Sequence, residues 1–475
     1  MTDGGRGETG GRQDRPHDRD ASCGRHLEQL LASLAGYRHL GLAVSGGADS
    51  TALMHLAARW RRRLASPPEI TVLTVDHRLR PTSCNEALSV EAAARALGFA
   101  HRTLVWQQSR AGSAVQERAR AARYALLETA MRQLAIDALV TAHHADDQAE
   151  TLLMRLARGS GLDGLAGMAP ATPFGPGMLV RPMLSVGKDE LTRWLGAAGI
   201  AWSEDPSNEL TAFERARLRR IAPTLAGAGL GTAALAMAAR RLARARQAIE
   251  SAVDAFLATE VRIDPTGLIE VDAARLAAAP EEIAVRAMQR LIAAAAGRGA
   301  PAPLGQTERT LARLLRPAAG QRVRATLAGA VVTRKGGRVT LQREPGRAGL
   351  PRLTVAPGQT VLWDGRFMVT HAAADGQPLA IGALGRGQAA REAVRGRAAG
   401  GMPVAVLATL PAYTTHDGVM SLPRLLPPLV SRPPVNDGGR AGCAPWAVDG
   451  PQPVVLARFV NSPLRDWPKG DIDTV

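Results

Sequence analysis

The sequence contains only three cysteines, Cys23, Cys84 and Cys443, and no two of them form a CxxC pair. Neither a disulfide framework nor a cysteine-ligated zinc or iron–sulfur centre is therefore indicated. Such cysteine usage is typical of a reducing compartment, and we expect a cytoplasmic protein. Aromatic residues make up only 3% of the chain, so its core must rely on alanine, leucine and valine.

The chain also lacks an apolar run of the roughly 20 residues that a membrane span needs, so we expect no membrane association. Residues 1–24 are polar and glycine-rich, unlike a secretory signal, and predict a disordered tail. Lysine is scarce, and yet the 59 lysines and arginines exceed the 43 acids by 16 charges. This excess favours a polyanionic partner, above all a nucleic acid.

The length of 475 residues predicts about two to four domains. Short apolar runs at 40–44, 70–75 and 136–140 are each followed by a helical pattern of about a dozen residues. This alternation is typical of βαβ units and predicts an α/β domain over 25–225 with a Rossmann-like parallel sheet. A helical linker and second domain are expected over 226–345, and a smaller, β-rich α+β region over 346–475.

A loop and a helical region are predicted in the chain after the third strand. Glycine and proline over 169–178 predict a loop. Residues 213–262 are predicted to be helical, with breaks near Pro223 and over 227–231.

The strongest local motif is the SGGADS segment, which directly follows the first strand and opens a helix. Its members are Ser45, Gly46, Gly47, Ala48, Asp49 and Ser50. Small residues at a helix N-terminus let backbone N–H groups and hydroxyls hold a phosphate, and the absence of lysine excludes a Walker A loop. Because a carboxylate would repel phosphate, Asp49 predicts Mg²⁺ between itself and a polyphosphate. The alternative is an ordinary glycine-rich turn with Asp49 as a helix cap.

Polar residues also follow the next strands. Asp76 and His77 end the second strand, and the segment HHADDQAE occupies 143–150 after the third. Parallel strands end at one edge of a sheet, where ligands bind, so these segments predict one crevice. The segment 143–150 allows a capping box, a transition-metal site, or a second Mg²⁺ ligand at Asp146 or Asp147 with a histidine as proton relay. We favour the last.

Several arginine clusters lie on predicted helices. A solvated helix face would explain any one of them, but the net charge favours contact with nucleic-acid phosphates. The candidates are Arg120, Arg123, Arg155, Arg158, Arg215, Arg217 and Arg219.

The SGGADS segment is similar to the PP-loop of the N-type ATP pyrophosphatases. Within that superfamily, the chain resembles the tRNA(Ile)-lysidine synthetases. The resemblance rests on VDHRLRPTS at 75–83, ARAARY at 119–124, the long stretch at 141–168, RPMLS at 181–185, and EDPSN with FERARLR over 204–219. It weakens from about residue 346, where only WDGRF at 363–367 is similar to some longer members.

The resemblance implies that ATP adenylates the C2 oxygen of the wobble cytidine in tRNA(Ile) with a CAU anticodon. The ε-amine of free L-lysine would then displace AMP, which makes the enzyme a carbon–nitrogen ligase. Together with the residues, the resemblance assigns catalysis to Asp49, Asp146, Asp147 and His143, and metal binding to Asp49 and Asp147. It assigns ATP binding to residues 45–50 with Asp76 and His77. Binding of tRNA is assigned to the seven arginines named above and to the 226–345 domain.

Two other functions stay open at this point. A tRNA thiolase with a PP-loop would need a partner for Cys84, and the sequence near the predicted site offers none. A non-catalytic tRNA-binding protein would not need Asp49, Asp76, Asp146 and Asp147 together. A homodimer is compatible with the sequence but not indicated by it.

Overall fold

The computed structural model describes residues 25–78, 83–106, 115–203, 214–316, 321–373, 376–387, 403–414, 420–426 and 455–460. The predicted tail at 1–24 and the EDPSN turn at 204–208 lie outside these residues. The chain divides into two compact units, with the division between Arg246 and Gln247. The domain boundaries expected after residues 225 and 345 stay predictions.

A six-stranded sheet forms the first unit, in the order β3-β2-β1-β4-β6-β5. Its strands are β1 (His39–Ala43), β2 (Glu69–Asp76), β3 (Ala100–Val105), β4 (Ala138–Val140), β5 (Ala171–Phe174) and β6 (Gly177–Val180). Neighbouring strands are parallel except β5, which runs antiparallel to β6. The predicted Rossmann-like parallel sheet is confirmed.

The loop expected over 169–178 is instead a hairpin, so that prediction was wrong. Its second strand, β6, pairs with β4 and extends the parallel sheet. The glycine and proline that suggested a loop serve the hairpin, because Gly175 turns the chain with φ +53° and Pro173 lies in the edge strand. An edge strand tolerates proline, since one side of its backbone needs no partner.

A 3-10 helix (Ala32–Gly36) precedes β1. Among the described residues, the α-helices of the first unit after β1 are α1 (Ala48–Arg61), α2 (Ser83–Ala96), α3 (Val115–Leu134), α4 (Ala145–Ala157), α5 (Leu162–Leu165), α6 (Lys188–Ala197), α7 (Glu214–Gly227) and α8 (Thr232–Glu260), which continues into the second unit. Apolar side chains of β1, α1 and α6 form the core against which the site rests, among them Leu42, Leu53 and Leu191, each fully buried.

The helical region beyond residue 213 breaks at only one of the two predicted places. Pro223 lies inside α7, so the break predicted there was wrong. The chain turns between α7 and α8, where Gly229 has φ +86°, a conformation that only glycine adopts without strain. No single described helix is long and apolar enough to span a membrane; α7 and α8 pass that test only as a pair, bent by 97°.

The second unit mixes helices with three small sheets. Its first sheet, in the order β7-β8-β11-β10-β9, comprises β7 (Val261–Ile263), β8 (Ile269–Asp272), β9 (Val323–Leu327), β10 (Ala330–Lys335) and β11 (Arg338–Arg343). Its helices are α9 (Ala273–Ala278), α10 (Glu281–Ala296), α11 (Leu304–Leu315) and α12 (Val404–Leu407).

Two four-stranded sheets complete the second unit, which is β-rich toward its end, as predicted. One contains β12 (Leu353–Val355), β15 (Leu379–Ala383), β16 (Pro411–Thr414) and β17 (Met420–Ser421). The other contains β13 (Thr360–Trp363), β14 (Phe367–His371), β18 (Arg424–Leu426) and β19 (Val455–Phe459).

The start of β6 leaves no room for a side chain. A Cβ atom on Gly177 would lie 2.1 Å from the carbonyl oxygen of Asp137. We therefore expect Gly177→Ala to lower the free energy of unfolding of the first unit by about 2 kcal/mol or more, measured by urea denaturation. Gly196→Ala, on α6 with nothing within 4 Å of the added Cβ, should leave it unchanged or raise it slightly. Equal losses in both variants would contradict this.

Candidate active site

The SGGADS segment joins β1 to α1 with a glycine in a special conformation. Gly46 has φ +90°, and a Cβ there would lie 3.3 Å from Val90. Gly47 is the N-cap of α1, which begins at Ala48. The first N–H groups of α1 are thus presented at the carboxyl end of β1, and a helix N-terminus of this kind attracts anions.

Two hydroxyl groups form hydrogen bonds within this loop. The Ser50 hydroxyl accepts a hydrogen bond from the backbone N–H of Ser45 at 3.1 Å and is 3.1 Å from the carbonyl of Gly47. The Thr51 hydroxyl donates to the carbonyl of Gly46. Ser50 is buried and shapes the loop, whereas Ser45 is exposed and can reach a ligand.

The sheet places this loop at its topological switch point. The chain runs outward from β1 through β2 to β3, and then returns to place β4 on the other side of β1. A crevice opens outside the carboxyl ends of the strands at such a point, and it is where ligands bind in open α/β sheets. The segment that follows β4 therefore faces the loop that follows β1.

His144 occupies the centre of this crevice, surrounded by three carboxylates. Its Nε2 lies 3.5 Å from Oδ2 of Asp49 and 3.5 Å from Oδ2 of Asp147, and its Nδ1 lies 3.4 Å from Oδ2 of Asp146. The imidazole is only 4% exposed. His144 is also the N-cap of α4, and its backbone N–H donates to Oδ2 of Asp147 at 3.1 Å.

These carboxylates decide the charge of the imidazole. Burial by itself would lower the pKa of His144, but its contacts with Asp146 and Asp49 and the charge of Asp147 outweigh burial and raise the pKa to about 10. The same contact holds the pKa of Asp146 far below its usual range. Burial would raise the pKa of Asp49, but His144 lowers it overall. At neutral pH the cluster therefore contains an imidazolium beside the ionised carboxylates of Asp49 and Asp146.

Asp146 uses both carboxylate oxygens for contacts within the protein. Oδ2 accepts a hydrogen bond from the backbone N–H of Lys188 at 2.8 Å, and Oδ1 accepts one from the hydroxyl of Thr232 at 2.9 Å. Lys188 is the first residue of α6, and Thr232 is the first residue of α8. Of the two adjacent aspartates, Asp146 is thus the one whose two oxygens both accept hydrogen bonds from neighbouring helices.

Asp49 and Asp147 are suited to a divalent cation. Oδ1 of Asp49 is buried without a hydrogen-bond partner among the described residues, and one Oδ2 from each aspartate approaches the same imidazole nitrogen. Mg²⁺ prefers oxygen ligands and is usually held by one or two carboxylates together with substrate phosphates. No ready-made group of three or more metal-ligating side chains occurs in the described part of the chain. This donor set therefore fits an Mg²⁺ ion that arrives with a nucleotide.

His143 lies beside the cluster but belongs to a different environment. Its Nδ1 is 2.8 Å from the hydroxyl of Thr141. Burial lowers the pKa of His143 to about 4, although the nearby charge of Asp147 acts in the opposite direction. His143 is therefore neutral at neutral pH and keeps a ring nitrogen able to exchange a proton.

Asp76 and His77 lie at the end of β2, next to β1. The carboxylate of Asp76 is buried and accepts a hydrogen bond from the N–H of Arg78 at 2.9 Å. The ring of His77 meets the edge of Trp106 at a centroid distance of 6.0 Å. Burial lowers the pKa of His77, so that this half-buried ring presents a neutral, flat surface.

The arginines predicted to contact RNA differ in their surroundings, and three of them form ion pairs with glutamates. Arg219 pairs with the buried Glu150 at 2.6 Å, with Arg215 farther away at 3.9 Å, and Arg158 pairs with Glu214 at 2.7 Å.

Of the remaining arginines, two lie against an aromatic ring. Arg120 and Arg123 each stack 5.4 Å from the ring centroid of Tyr124. Arg155 lies in the last turn of α4, and Arg217 is exposed on α7.

Three contributors to the site were missed in the sequence. Adjacent histidines could not be told apart, and His144 rather than His143 lies among the carboxylates. Glu150 lies three residues after Asp147, on the same face of α4, but no pattern in the sequence indicated its pairing with Arg219. Thr232 carries no signal at all, because it is 86 residues from its partner Asp146.

The sheet architecture and the SGGADS loop together indicate the class of protein to which the chain belongs. A strand, a glycine-rich SGGADS turn and a helix N-terminus at the switch point, with carboxylates opposite, are the features of PP-loop ATP-binding enzymes. A family model described as a PP-loop domain matches residues 20–225.

Comparison with individual proteins identifies the family within this class. The chain is 45% identical over 339 residues to a tRNA(Ile)-lysidine synthase of Methylobacterium sp. strain 4-46, covering 70% of this chain and 96% of that one. It is 51% identical over 227 residues to one of Bradyrhizobium sp. strain BTAi1, covering 48% and 63% respectively. The chain belongs to the tRNA(Ile)-lysidine synthase family, and the resemblance seen in the sequence is confirmed.

Among solved structures, the U34-tRNA thiolase NcsA from Methanococcus maripaludis is similar to part of the chain. The match has a TM-score of 0.42 and 13% identity, and covers 47% of this chain and 80% of that one.

The raised pKa of His144 makes its contribution to stability depend on pH. Its pKa is about 10 in the fold against an ordinary 6.5, so its stabilisation is complete below about pH 6.5 and is lost as pH rises toward 10. We expect His144→Gln to lower the free energy of unfolding by about 3 kcal/mol near neutral pH, because uncompensated carboxylates remain. Urea denaturation in EDTA should show this deficit shrinking toward pH 10.

His55, on α1, provides the control. Burial lowers its pKa, so it is neutral in the folded and unfolded protein above about pH 7, and any effect of His55→Gln should be constant from there to pH 10. A His144→Gln deficit that is equally constant would mean that the imidazole is not charged in the fold.

Proposed function

We propose that this protein ligates lysine to C2 of the wobble cytidine of tRNA(Ile) with a CAU anticodon, through an adenylated cytidine, releasing pyrophosphate and AMP. It is then a carbon–nitrogen ligase. The observation that carries this proposal is the meeting of two features in one crevice: the open N-terminus of α1 and the Asp49–Asp147 pair around His144. The first suits the phosphates of ATP, and the second suits the cation that accompanies them.

The phosphates of ATP would lie over Gly46, Gly47 and Ala48. Backbone N–H groups at the start of α1 point at this position, and the exposed hydroxyl of Ser45 adds a donor. Asp76 and His77, at the end of the neighbouring strand, would contact the nucleoside. This arrangement would hold the α-phosphorus near the crevice, where the cytidine oxygen has to attack.

Asp49 and Asp147 would hold Mg²⁺, which when bound neutralises negative charge on the departing pyrophosphate. His144 keeps these two carboxylates apart and fixed, since one ring nitrogen faces both. Fixed charges of this kind need no reorganisation during the reaction, which is the main source of electrostatic catalysis.

The two chemical steps make different demands on the protein. In the first, the C2 oxygen of cytidine attacks the α-phosphorus and pyrophosphate leaves. In the second, the ε-amine of lysine attacks C2, AMP leaves, and the amine loses a proton. The neutral ring of His143, whose Nδ1 is hydrogen-bonded to Thr141, would accept that proton.

The tRNA would contact Arg217, Arg120 and Arg123. Arg217 is exposed on α7, and Arg120 and Arg123 lie against Tyr124 on α3. The net charge of +16 agrees with a large polyanionic substrate. Arg219 has a different role in this proposal, because it neutralises the buried Glu150 at 2.6 Å.

Asp49→Asn tests the catalytic proposal. It keeps the shape of the side chain and removes the charge that would hold Mg²⁺, so AMP release and incorporation of radiolabelled lysine into tRNA(Ile) should fall at least about a hundredfold. Binding of tRNA, measured by filter retention, should survive. Asp189→Asn, an exposed acid in the first turn of α6, is the matched control and should retain activity. Normal turnover by Asp49→Asn would refute the metal role.

Arg217→Ala tests the tRNA surface. If Arg217 contacts a phosphate, the slope of log Kd against log salt concentration should become shallower by about one, with little change in thermal stability. Arg193→Ala on α6, also exposed, serves as the control for losing one positive charge. An unchanged slope for Arg217→Ala would remove that residue from the interface.

A further inference from the structure

The hydroxyl of Thr232 makes a contact that its own helix does not require. Thr232 is the first residue of α8, and its Oγ1 donates to Oδ1 of Asp146 at 2.9 Å. The packing of α8 on α4 has a separate basis, since Leu235 and Ala239 are buried against Ala149 and Leu152. The hydroxyl is therefore available for orienting Asp146 rather than for docking the helix.

Asp146 joins this hydroxyl to the centre of the site. Its other oxygen, Oδ2, accepts the N–H of Lys188 at 2.8 Å and lies 3.4 Å from Nδ1 of His144. Three helices thus begin around one carboxylate: α4, which contains Asp146, α6 at Lys188 and α8 at Thr232. A carboxylate with donors on both oxygens has one orientation, and Oδ2 of Asp146 then faces the edge of the imidazole that carries Nδ1.

The opposite edge of the same imidazole faces the carboxylates that would act on ATP. Nε2 of His144 lies 3.5 Å from Asp49 and 3.5 Å from Asp147. A tilt of the ring moves Nε2 away from one or both of them. Thr232 is hydrogen-bonded to Asp146 at 2.9 Å. Charged contacts continue from Asp146 to His144 at 3.4 Å and from His144 to Asp49 at 3.5 Å.

We propose that Thr232 is a positioning residue of the active site: its hydroxyl fixes Asp146, which orients His144 and through it the Asp49–Asp147 pair. The proposal rests on the proposed function for its kinetic consequence only. Supporting residues of this kind commonly matter nearly as much as the groups they orient, because a small displacement at the reacting atoms is costly.

Thr232→Val tests this directly, since valine keeps the shape and removes the donor. We expect kcat for AMP release to fall about tenfold, and KM for tRNA and the thermal midpoint to stay near their normal values. Thr232→Ser restores the hydroxyl and should restore kcat. Thr259→Val is the matched control, because Thr259 lies on the same helix and donates only to backbone carbonyls of its own helix.

A measurement that does not depend on catalysis separates the role of Thr232 from the proposed function. In ¹⁵N-labelled protein, Thr232→Val should shift the ring nitrogen resonances of His144, whereas Thr232→Ser and Thr259→Val should not. Normal kcat and unshifted resonances in Thr232→Val would overturn the inference. So would a loss of kcat that serine does not restore and that follows a lowered thermal midpoint, since that is a structural effect. A wild-type protein that releases no AMP would refute the proposed function, while the resonance shift would still decide the role of Thr232.

Discussion

The buried imidazolium of His144 is the interaction on which the rest of the site depends. Three carboxylates within about one turn of two helix N-termini would repel one another strongly in a crevice of low dielectric constant. His144 contacts all three at 3.4–3.5 Å and makes their assembly stable. Its two ring nitrogens also face different carboxylates. Nδ1 faces Asp146, which is hydrogen-bonded to the first residues of α6 and α8. Nε2 faces Asp49 and Asp147. One residue thus serves both the fold and the chemistry.

Ion pairs with one buried partner link α7 to α4. No residue of α7 is itself buried. Arg219 and Arg215 of α7 pair with Glu150, and Glu214 pairs with Arg158 at the end of α4. A charge-assisted pair is worth most when its acceptor is buried, as Glu150 is. Arginines that look alike in sequence therefore differ in role: Arg219 pairs with the buried Glu150, whereas Arg217 is proposed to contact tRNA.

Sequence reasoning succeeded where the physical signal was local. A strand, small residues and a helix start in immediate succession located the Asp49 loop, and alternating apolar runs predicted the parallel sheet. It failed where the signal was distant or ambiguous. The β5–β6 hairpin uses Gly175 and Pro173, which also occur in loops, and the choice between His143 and His144 depends on the exact path of four residues after β4. No pattern could have connected Thr232 to Asp146, because only the folded chain brings them together.

The central claim is that the crevice at the switch point modifies the wobble cytidine of tRNA(Ile). It is tested most directly by mass spectrometry of nucleosides from a tRNA(Ile) transcript with a CAU anticodon, after incubation with the protein, lysine, Mg²⁺ and ATP. The account predicts lysidine in place of the wobble cytidine, only when ATP and lysine are both present. An unmodified cytidine with AMP released would contradict it, because the adenylating chemistry would then act on another substrate.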